Sequence, residues 1–222
     1  MIVAIDGPAG SGKTTVARTL ARRLGFGFLP SGATYRALAC TALERGVSVD
    51  DADALADLAD AITIRIDGDP QASRILVDGR DVTEAVRSPE VAEAASVLSQ
   101  HAAVRERLVA LQRRIAEGLG NVVAEGRDMT TVVFADAPVR VYLDGSLAER
   151  ARRRHRELAR RSGSGSPALA SVQADLAARD NRDSSRSAAP LTRADDAVYV
   201  DTTDLTVDDV VDCIARCVAD AQ

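Results

Sequence analysis

The chain has 222 residues, of which 46% are hydrophobic and 27% charged, a balance typical of one folded globular domain with or without small insertions. Its net charge of -5 argues against a nucleic-acid partner, and no apolar run reaches the roughly 18 residues of a membrane span. The three cysteines are too few and too unevenly spaced for a disulfide framework, and no signal peptide precedes the first predicted strand. We therefore expect a cytoplasmic protein without a membrane partner.

The first stretch of the chain predicts a strand, a phosphate-binding loop and a helix in direct succession. Residues 2–5 form an apolar run that is too short for a helix and fits a buried strand. Gly7 to Thr14 then match the pattern G-x-x-x-x-G-K-[ST] at every fixed position. Apolar residues recur at helical spacing from Val16 to Leu24, and Gly25 stands where a helix would end. This order predicts a nucleoside triphosphate site.

Each part of this loop has a predicted task in binding ATP and Mg²⁺. Glycines let the loop wrap so that backbone N–H groups point at one anion, and the helix adds its positive N-terminal end. Lys13 supplies a full positive charge for the β- and γ-phosphates, and the Thr14 hydroxyl is suited to ligate Mg²⁺. The residues expected to bind ATP are Gly7, Pro8, Ala9, Gly10, Ser11, Gly12, Lys13, Thr14 and Thr15.

Residues 27–118 predict a second short strand followed by an inserted subdomain. The strand ends at Pro30, and a helix follows over residues 35–44. Alternating apolar residues at 62–66 and a second strand at 74–77 predict an antiparallel hairpin, which is out of place between helices and so marks an insertion. Two helices then fill residues 90–117, with a break near His101, which we expect to face solvent.

The second half of the chain completes an α/β fold. Apolar strands are predicted at residues 121–125, 139–143 and 197–201, and helices lie between them. Five buried strands that alternate with helices predict a five-stranded parallel sheet with helices on both faces. In such sheets ligands bind at the carboxyl ends of the strands. Arg127 and Asp128 directly follow one of these ends.

A helix predicted over residues 150–161 is unusually rich in arginine. A nucleic-acid surface is disfavoured because no aromatic residues are interleaved and the chain is acidic. A solvated helix face is the plain alternative. We favour a mobile lid that brings arginines to a transferring phosphoryl group, because Gly163 and Gly165 provide a hinge after the helix. The sequence leaves open which arginine contacts that group. The arginines stand at positions 150, 152, 153, 154, 156, 160 and 161.

Together these segments resemble the bacterial cytidylate kinases over nearly the whole chain. The resemblance rests on residues 7–15, Ser31-Gly32-Ala33-Thr34-Tyr35-Arg36, residues 124–128, residues 131–138 and residues 179–190. The second and the last of these segments are specific in combination, whereas the phosphate loop alone is not. The chain departs from the family pattern in three places, and the first is that the proline expected before Val104 and Arg105 is absent. Pro30-Ser31-Gly32 stands for the usual Asp-Thr-Gly, and Met129-Thr130 stands for Ile-Gly.

The resemblance implies a P-loop nucleoside monophosphate kinase with three parts. The core would comprise residues 1–30, 119–149 and 187–222; residues 31–118 would form the NMP-binding subdomain with its small antiparallel sheet, and residues 150–186 the arginine-rich lid. It also implies transfer of the γ-phosphoryl group of ATP to CMP or dCMP, with Mg²⁺, by a monomer in pyrimidine nucleotide metabolism.

The resemblance further implies roles for single residues. Arg36 and Arg127 would hold the phosphate of the acceptor. The cytosine pocket would be lined by Ser31, Arg105, Asp128 and Arg186. The pentose would contact Arg179 and Asp183, with Ser96 bonded to Asp183. The catalytic charges would come from Lys13, Arg127, Arg153 and Arg154.

Asp128 is the residue expected to distinguish cytosine from uracil. A carboxylate only accepts hydrogen bonds, so it would pair with the amino group of cytosine and oppose the carbonyl of uracil. The alternative is that Asp128 only orients Arg127 as a neighbouring ion pair.

Two other functional classes share the phosphate loop. Another P-loop kinase, acting on shikimate or dephospho-coenzyme A, is disfavoured by the insert and by residues 179–186. A GTPase-type switch or an ATP-driven binding module is the second class. A switch should contain an N-K-x-D segment, and this sequence has none.

Overall fold

The computed structural model describes residues 1–162 and 167–221, except for the side chains of residues 161 and 162; the predicted hinge glycines, Gly163 and Gly165, lie outside the described residues. Within these ranges the strands are β1 (Ile2–Asp6), β2 (Gly27–Pro30), β3 (Ile64–Ile66), β4 (Ile75–Val77), β5 (Arg80–Asp81), β6 (Val122–Glu125), β7 (Val139–Asp144) and β8 (Val198–Asp201). The α-helices are α1 (Lys13–Leu24), α2 (Gly32–Arg45), α3 (Ala52–Ala61), α4 (Pro89–Leu98), α5 (Ala102–Leu119), α6 (Leu147–Ser162), α7 (Leu169–Ser185) and α8 (Val207–Asp220).

Two sheets organise these elements. The larger is a five-stranded sheet in the order β2-β6-β1-β7-β8, and all of its neighbouring strands are parallel. The smaller is an antiparallel sheet of β3, β4 and β5. The predicted parallel sheet and the small inserted sheet are therefore confirmed. Strand β5 was not predicted, because two residues are too few to show an alternating pattern.

The parallel sheet is covered by apolar helices on both faces. Ile5 of β1 packs in one cluster with Leu20 of α1 and Ile214 of α8. Its neighbour Ala4 packs in another cluster with Leu38 of α2. Successive side chains of a strand point to opposite faces, so this alternation places helices on either side of the sheet, as predicted. None of the described helices is both long enough and apolar enough to span a membrane.

Two local features were not predicted from the sequence, and one prediction is wrong. Helix α7 continues to Ser185, so the segment that begins at Arg179 is helical. Residues 129–133 form a π-helical turn, which leaves no periodic pattern over so few residues. The expectation that His101 faces solvent is wrong. Its ring is half-buried, and its Nε2 lies 2.9 Å from the carbonyl oxygen of Val49.

Candidate active site

The phosphate loop lies at the carboxyl edge of the sheet, between the end of β1 and the beginning of α1. Gly7 has a φ of 148°, and a Cβ there would lie 1.9 Å from the carbonyl oxygen of Leu143, so glycine is required. Helix α1 begins at Lys13, and the N–H groups of its first turn have no partner within the helix. The loop therefore has the geometry of an anion site.

Lys13 is buried within the loop that it is expected to serve. Its Nζ donates to the carbonyl oxygen of Pro8 at 2.7 Å and lies 3.4 Å from Ser11 Oγ. Burial, together with the positive charge of Arg127, lowers the pKa of Lys13 to about 7. A bound polyphosphate would restore the charge of this amine.

Thr14 and Glu125 form a pair of hard oxygen ligands beside the loop. Thr14 Oγ1 donates to Glu125 Oε1 at 2.8 Å, and Glu125 is buried at the end of β6. This donor set fits Mg²⁺, which is usually held by one or two protein side chains together with substrate phosphates and water. Sequence reasoning missed Glu125, although an acid that ends a buried strand was a usable signal.

Four arginines lie close together next to the phosphate loop. Burial lowers the pKa of Arg36, and the charges of Arg154 and Arg127 add to this effect. Burial likewise lowers the pKa of Arg179 to about 10, and the charges of the other three arginines contribute. Arginines that depress one another's pKa values form a site for a multiply charged anion. We call Lys13 and these four arginines the cationic cluster.

Within the cationic cluster, Arg127 is held by a carboxylate. Its Nε donates to Asp183 Oδ2 at 2.8 Å. Burial alone would lower the pKa of Arg127, but Asp183 outweighs that effect and raises it. Burial would raise the pKa of Asp183, but Arg127 and Arg179 outweigh it and lower it. The alternative role of Asp128 as the partner of Arg127 is therefore wrong.

Asp128 instead forms a buried ion pair with Arg105. Arg105 Nη2 donates to Asp128 Oδ2, and Arg105 Nη1 donates to the carbonyl oxygen of Ser99 at 3.1 Å. The guanidinium also lies 5.4 Å from the centre of the Tyr35 ring. Burial raises the pKa of Tyr35 to about 12, with the charges of Arg105, Asp128 and Arg186 acting on it. We call Tyr35, Arg105, Gln112, Asp128 and Arg186 the acceptor cluster. Gln112 lies two turns after Arg105 on α5 and is fully buried.

The acceptor cluster contains polar atoms without hydrogen-bond partners. Within the described part of the chain, eight buried side-chain polar atoms lack a partner, and four of them belong to this cluster. A buried polar group left unsatisfied costs about 1–3 kcal/mol, so these atoms mark a place that a polar ligand can complete. They are Arg105 Nε, Arg186 Nη2, Tyr35 Oη and Gln112 Oε1; the last two belong to side chains that interact with each other, so Arg105 Nε and Arg186 Nη2 are the atoms that most need a ligand.

Ser31 directly precedes α2, but its side chain does not cap this helix. Its carbonyl oxygen accepts from Thr34 Oγ1 at 2.8 Å and from the Thr34 N–H at 3.1 Å. Gln112 Nε2 in turn donates to Thr34 Oγ1 at 2.9 Å. A Cβ at Gly126 would lie 2.4 Å from Ser31 Oγ, so this hydroxyl directly contacts the peptide that precedes Arg127.

One expected contact is wrong. Ser96 Oγ accepts from Arg182 Nε at 3.3 Å and does not bond to Asp183 among the described residues. Arg182 also pairs with Glu93 at 3.1 Å, because Glu93 and Ser96 lie three residues apart on one face of α4. The carboxylate of Asp183 instead forms an ion pair with Arg127.

Arg150 joins the base of the arginine-rich helix to the phosphate loop. Its Nη1 donates to the carbonyl oxygen of Ala9 at 2.9 Å and to Asp180, and its Nε donates to the carbonyl oxygen of Gly145 at 2.8 Å. Asp180 Oδ1 accepts from the Ala9 N–H at 3.0 Å. The backbone N–H of Ala9 is thus used within the protein, and the expectation that residues 7–15 bind ATP stays a prediction.

Four of the other described arginines of α6 fall into two groups, and Arg160 is exposed. Arg152 and Arg156 pair with Glu149 on the solvent side, as the solvated-face alternative expects. Arg153 and Arg154 turn inward. Arg153 donates to Thr202 Oγ1 at 2.9 Å, in the segment after β8, whereas Arg154 belongs to the cationic cluster.

Comparisons with known proteins agree with this architecture. The family model described as cytidylate kinase matches residues 3–220. The cytidylate kinase of Rhodococcus opacus is 47% identical over 212 residues, which cover 95% of this chain and 91% of that protein. The cytidylate kinase of Limosilactobacillus fermentum is 45% identical over 214 residues, with 96% and 93% covered. A crystal structure of an uncharacterized protein from Eubacterium ventriosum covers 99% of this chain and 98% of that one, with a TM-score of 0.54 and 14% identity, and so shows the fold alone.

Proposed function

We propose that this chain, which belongs to the cytidylate kinase family and transfers a phosphoryl group from ATP to CMP, performs the transfer within the cationic cluster. We also propose that it accepts dCMP and uses Mg²⁺. The products are ADP and CDP, or dCDP when dCMP is the acceptor. A shikimate or dephospho-coenzyme A kinase is not favoured.

The cationic cluster is the observation that carries this proposal. Phosphoryl transfer requires positive charge around the migrating group more than it requires covalent chemistry. Lys13 lies on the donor side of the cluster and Arg154 comes from α6. Arg36 and Arg127 hold the phosphate of the acceptor. Because an oxygen of that phosphate is already an anion, the reaction needs neither a side-chain nucleophile nor a strong general base.

Mg²⁺ fits the oxygen pair beside the loop. Thr14 Oγ1 and the Glu125 carboxylate lie 2.8 Å apart and are oxygen donors of the kind that Mg²⁺ prefers. Bound there, the ion would neutralise charge on the donor phosphates.

The acceptor cluster supplies the specificity in this proposal. Cytosine offers one amino donor and two acceptors, O2 and N3. Asp128 accepts from the amino group, while Arg105 and Arg186 donate to O2 and N3, with Ser31 at the edge of the pocket. The unpartnered atoms of the cluster support this assignment, because they are left for a ligand to pair. Arg179 and Asp183 bind the pentose.

A turnover panel tests the proposal directly. ATP is supplied with CMP, dCMP, UMP, AMP, shikimate or dephospho-coenzyme A, and we expect CMP and dCMP to give the highest kcat/KM. Lys13→Ala should lower kcat by about 100-fold or more with a folded protein, because the amine meets charge that develops in the transition state. A folded Lys13→Ala protein with wild-type kcat, or a preference for shikimate, would contradict the proposal.

A further inference from the structure

Asp6 is a buried carboxylate that joins the phosphate loop to the segment carrying Arg127 and Asp128. It ends β1 directly before Gly7, and its relative exposure is 0%. Its Oδ1 accepts from the Met129 N–H at 2.8 Å, and its Oδ2 accepts from the N–H and the Oγ1 of Thr130, both at 2.7 Å. Among the described residues no cationic side chain forms an ion pair with it. All of its hydrogen-bond donors therefore come from one turn of the chain.

That turn is the beginning of the π-helix. The first N–H groups of a helix have no partner within it and need a cap. The residue in the usual capping position, Asp128, makes no side-chain cap bond, and its carboxylate pairs with Arg105 instead. Asp6 accepts from the N–H groups of Met129 and Thr130 and so caps the turn from another strand. Because Asp6 caps the turn, the Asp128 carboxylate is not needed as a cap and can pair with Arg105 in the acceptor cluster.

A second anchor lies on the other side of the same two residues. The Gly126 N–H donates to the carbonyl oxygen of Ile5 at 2.9 Å. Arg127 and Asp128 therefore lie between two attachments to consecutive residues of β1, namely Ile5 and Asp6. The same strand end begins the phosphate loop, so one short segment sets both halves of the site.

The three hydrogen bonds offset a large cost of burial. The pKa of Asp6 is raised to about 6, because burial and the charge of Asp128 raise it by more than the hydrogen bonds from Thr130 and Met129 lower it. A buried carboxylate without an ion-pair partner depends on its hydrogen-bond donors, and each such bond contributes more than one between neutral groups. Loss of the Thr130 hydroxyl would leave Oδ2 with one donor fewer.

We propose that Asp6 is a positioning residue for the acceptor, and that the Thr130 hydroxyl completes the contact by which Asp6 fixes Arg127 and Asp128. This inference rests on the proposed roles of those two residues in binding the acceptor. Asp6 itself would touch no reacting atom and would act through the turn that it caps.

The test removes one hydroxyl group. Thr130→Val keeps the shape of the side chain and deletes the donor, whereas Thr130→Ser keeps the donor. We expect Thr130→Val to lower kcat/KM for CMP about ten-fold, mostly through KM for CMP, with KM for ATP within about two-fold of wild type. The CMP/UMP ratio of kcat/KM should fall with it. Thr130→Ser should stay within about three-fold of wild type, and Thr130→Ala should behave as Thr130→Val does.

Hydrogen exchange provides a readout that does not depend on activity. The amides of Met129 and Thr130 should exchange faster in Thr130→Val and at the wild-type rate in Thr130→Ser. Asp128→Asn separates the two levels of the proposal. If Asp128→Asn leaves CMP turnover unchanged, the proposed role of Asp128 is wrong. If Asp128→Asn impairs CMP turnover but Thr130→Val changes neither turnover nor exchange, the positioning role of Asp6 is overturned. Equal increases in KM for CMP and for ATP would also overturn it.

Discussion

Two ion pairs in this molecule, one largely and one fully buried, have the same chemistry and different surroundings. Arg150 and Asp180 join α6 to α7, with side-chain exposures of 9% and 19%. Arg105 and Asp128 join α5 to the loop after β6, with exposures of 5% and 4%. Each pair consists of one guanidinium and one carboxylate that are distant along the chain. Their hydrogen-bond partners are what distinguish them.

The Arg150–Asp180 pair is satisfied by the protein itself. Arg150 also donates to the carbonyl oxygens of Ala9 and Gly145, and Asp180 accepts from the Ala9 N–H. The Arg105–Asp128 pair is not satisfied in this way. Arg105 Nε has no partner among the described residues, and neither has Arg186 Nη2 in the same cluster. A satisfied buried pair holds structure, whereas an unsatisfied one in a cluster of unpaired polar atoms is suited to a ligand.

The largest effect on stability is expected from breaking the Arg150–Asp180 pair. Arg150→Met leaves the Asp180 carboxylate without its cation and the Ala9 carbonyl without its donor. We expect the free energy of unfolding to fall by about 3 kcal/mol, measured by urea denaturation. Arg152→Met is the matched control, because Arg152 is exposed and pairs only at the surface with Glu149. That change should cost less than about 1 kcal/mol. Equal losses in the two variants would contradict the distinction.

A ligand should stabilise the molecule through the unsatisfied pair only. CMP should raise the Tm of the wild-type protein, because a ligand that binds the folded state stabilises it by mass action. Arg105→Met should lose this increase, whereas Arg150→Met, although less stable, should keep it. A CMP-induced increase that survives in Arg105→Met would show that the acceptor cluster does not bind CMP.

The smallest perturbation is the titration of one amine. Burial lowers the pKa of Lys13 to about 7 in the free protein. Because a bound polyphosphate favours the charged amine, a non-hydrolysable ATP analogue should raise this pKa and cause proton uptake at pH 8 but little below pH 6. Lys13 is the only lysine in the chain, so NMR of ¹³C-labelled lysine reports on it alone. A pKa near the usual 10.5 in the free protein would contradict this interpretation.

The donor side of the site could be predicted because it is local. Residues 7–15 carry their own pattern, and the strand before them and the helix after them follow directly. Glu125 was missed because it contacts Thr14 across 111 positions of the chain. Asp180 was missed for the same reason, since its contact with Ala9 spans 171 positions.

The acceptor side depends on which charges meet after packing. Sequence patterns identify acids and arginines but do not pair them. The partner of Arg127 is therefore Asp183, 56 positions away, rather than its neighbour Asp128. The partner predicted for Ser96 was Asp183, and the observed partner is Arg182, one residue before it on α7. The two adjacent side chains contact different groups, since Asp183 pairs with Arg127. The capping of the π-helical turn by Asp6 also lies beyond any local pattern, since that contact spans 123 positions.

We propose that the Arg105–Asp128 pair recognises cytosine through Asp128, and the CMP/UMP ratio of kcat/KM in Asp128→Asn is the measurement that decides it. Asparagine keeps the volume but has one acceptor oxygen in place of two, so Arg105 and the amino group of cytosine can no longer both be paired with an acceptor. A site that leaves buried polar groups unpaired rejects a ligand strongly, and we expect the ratio to fall by about ten-fold or more, mostly through loss on CMP. If both substrates slow equally and the ratio stays at the wild-type value, Asp128 is structural and cytosine is recognised elsewhere.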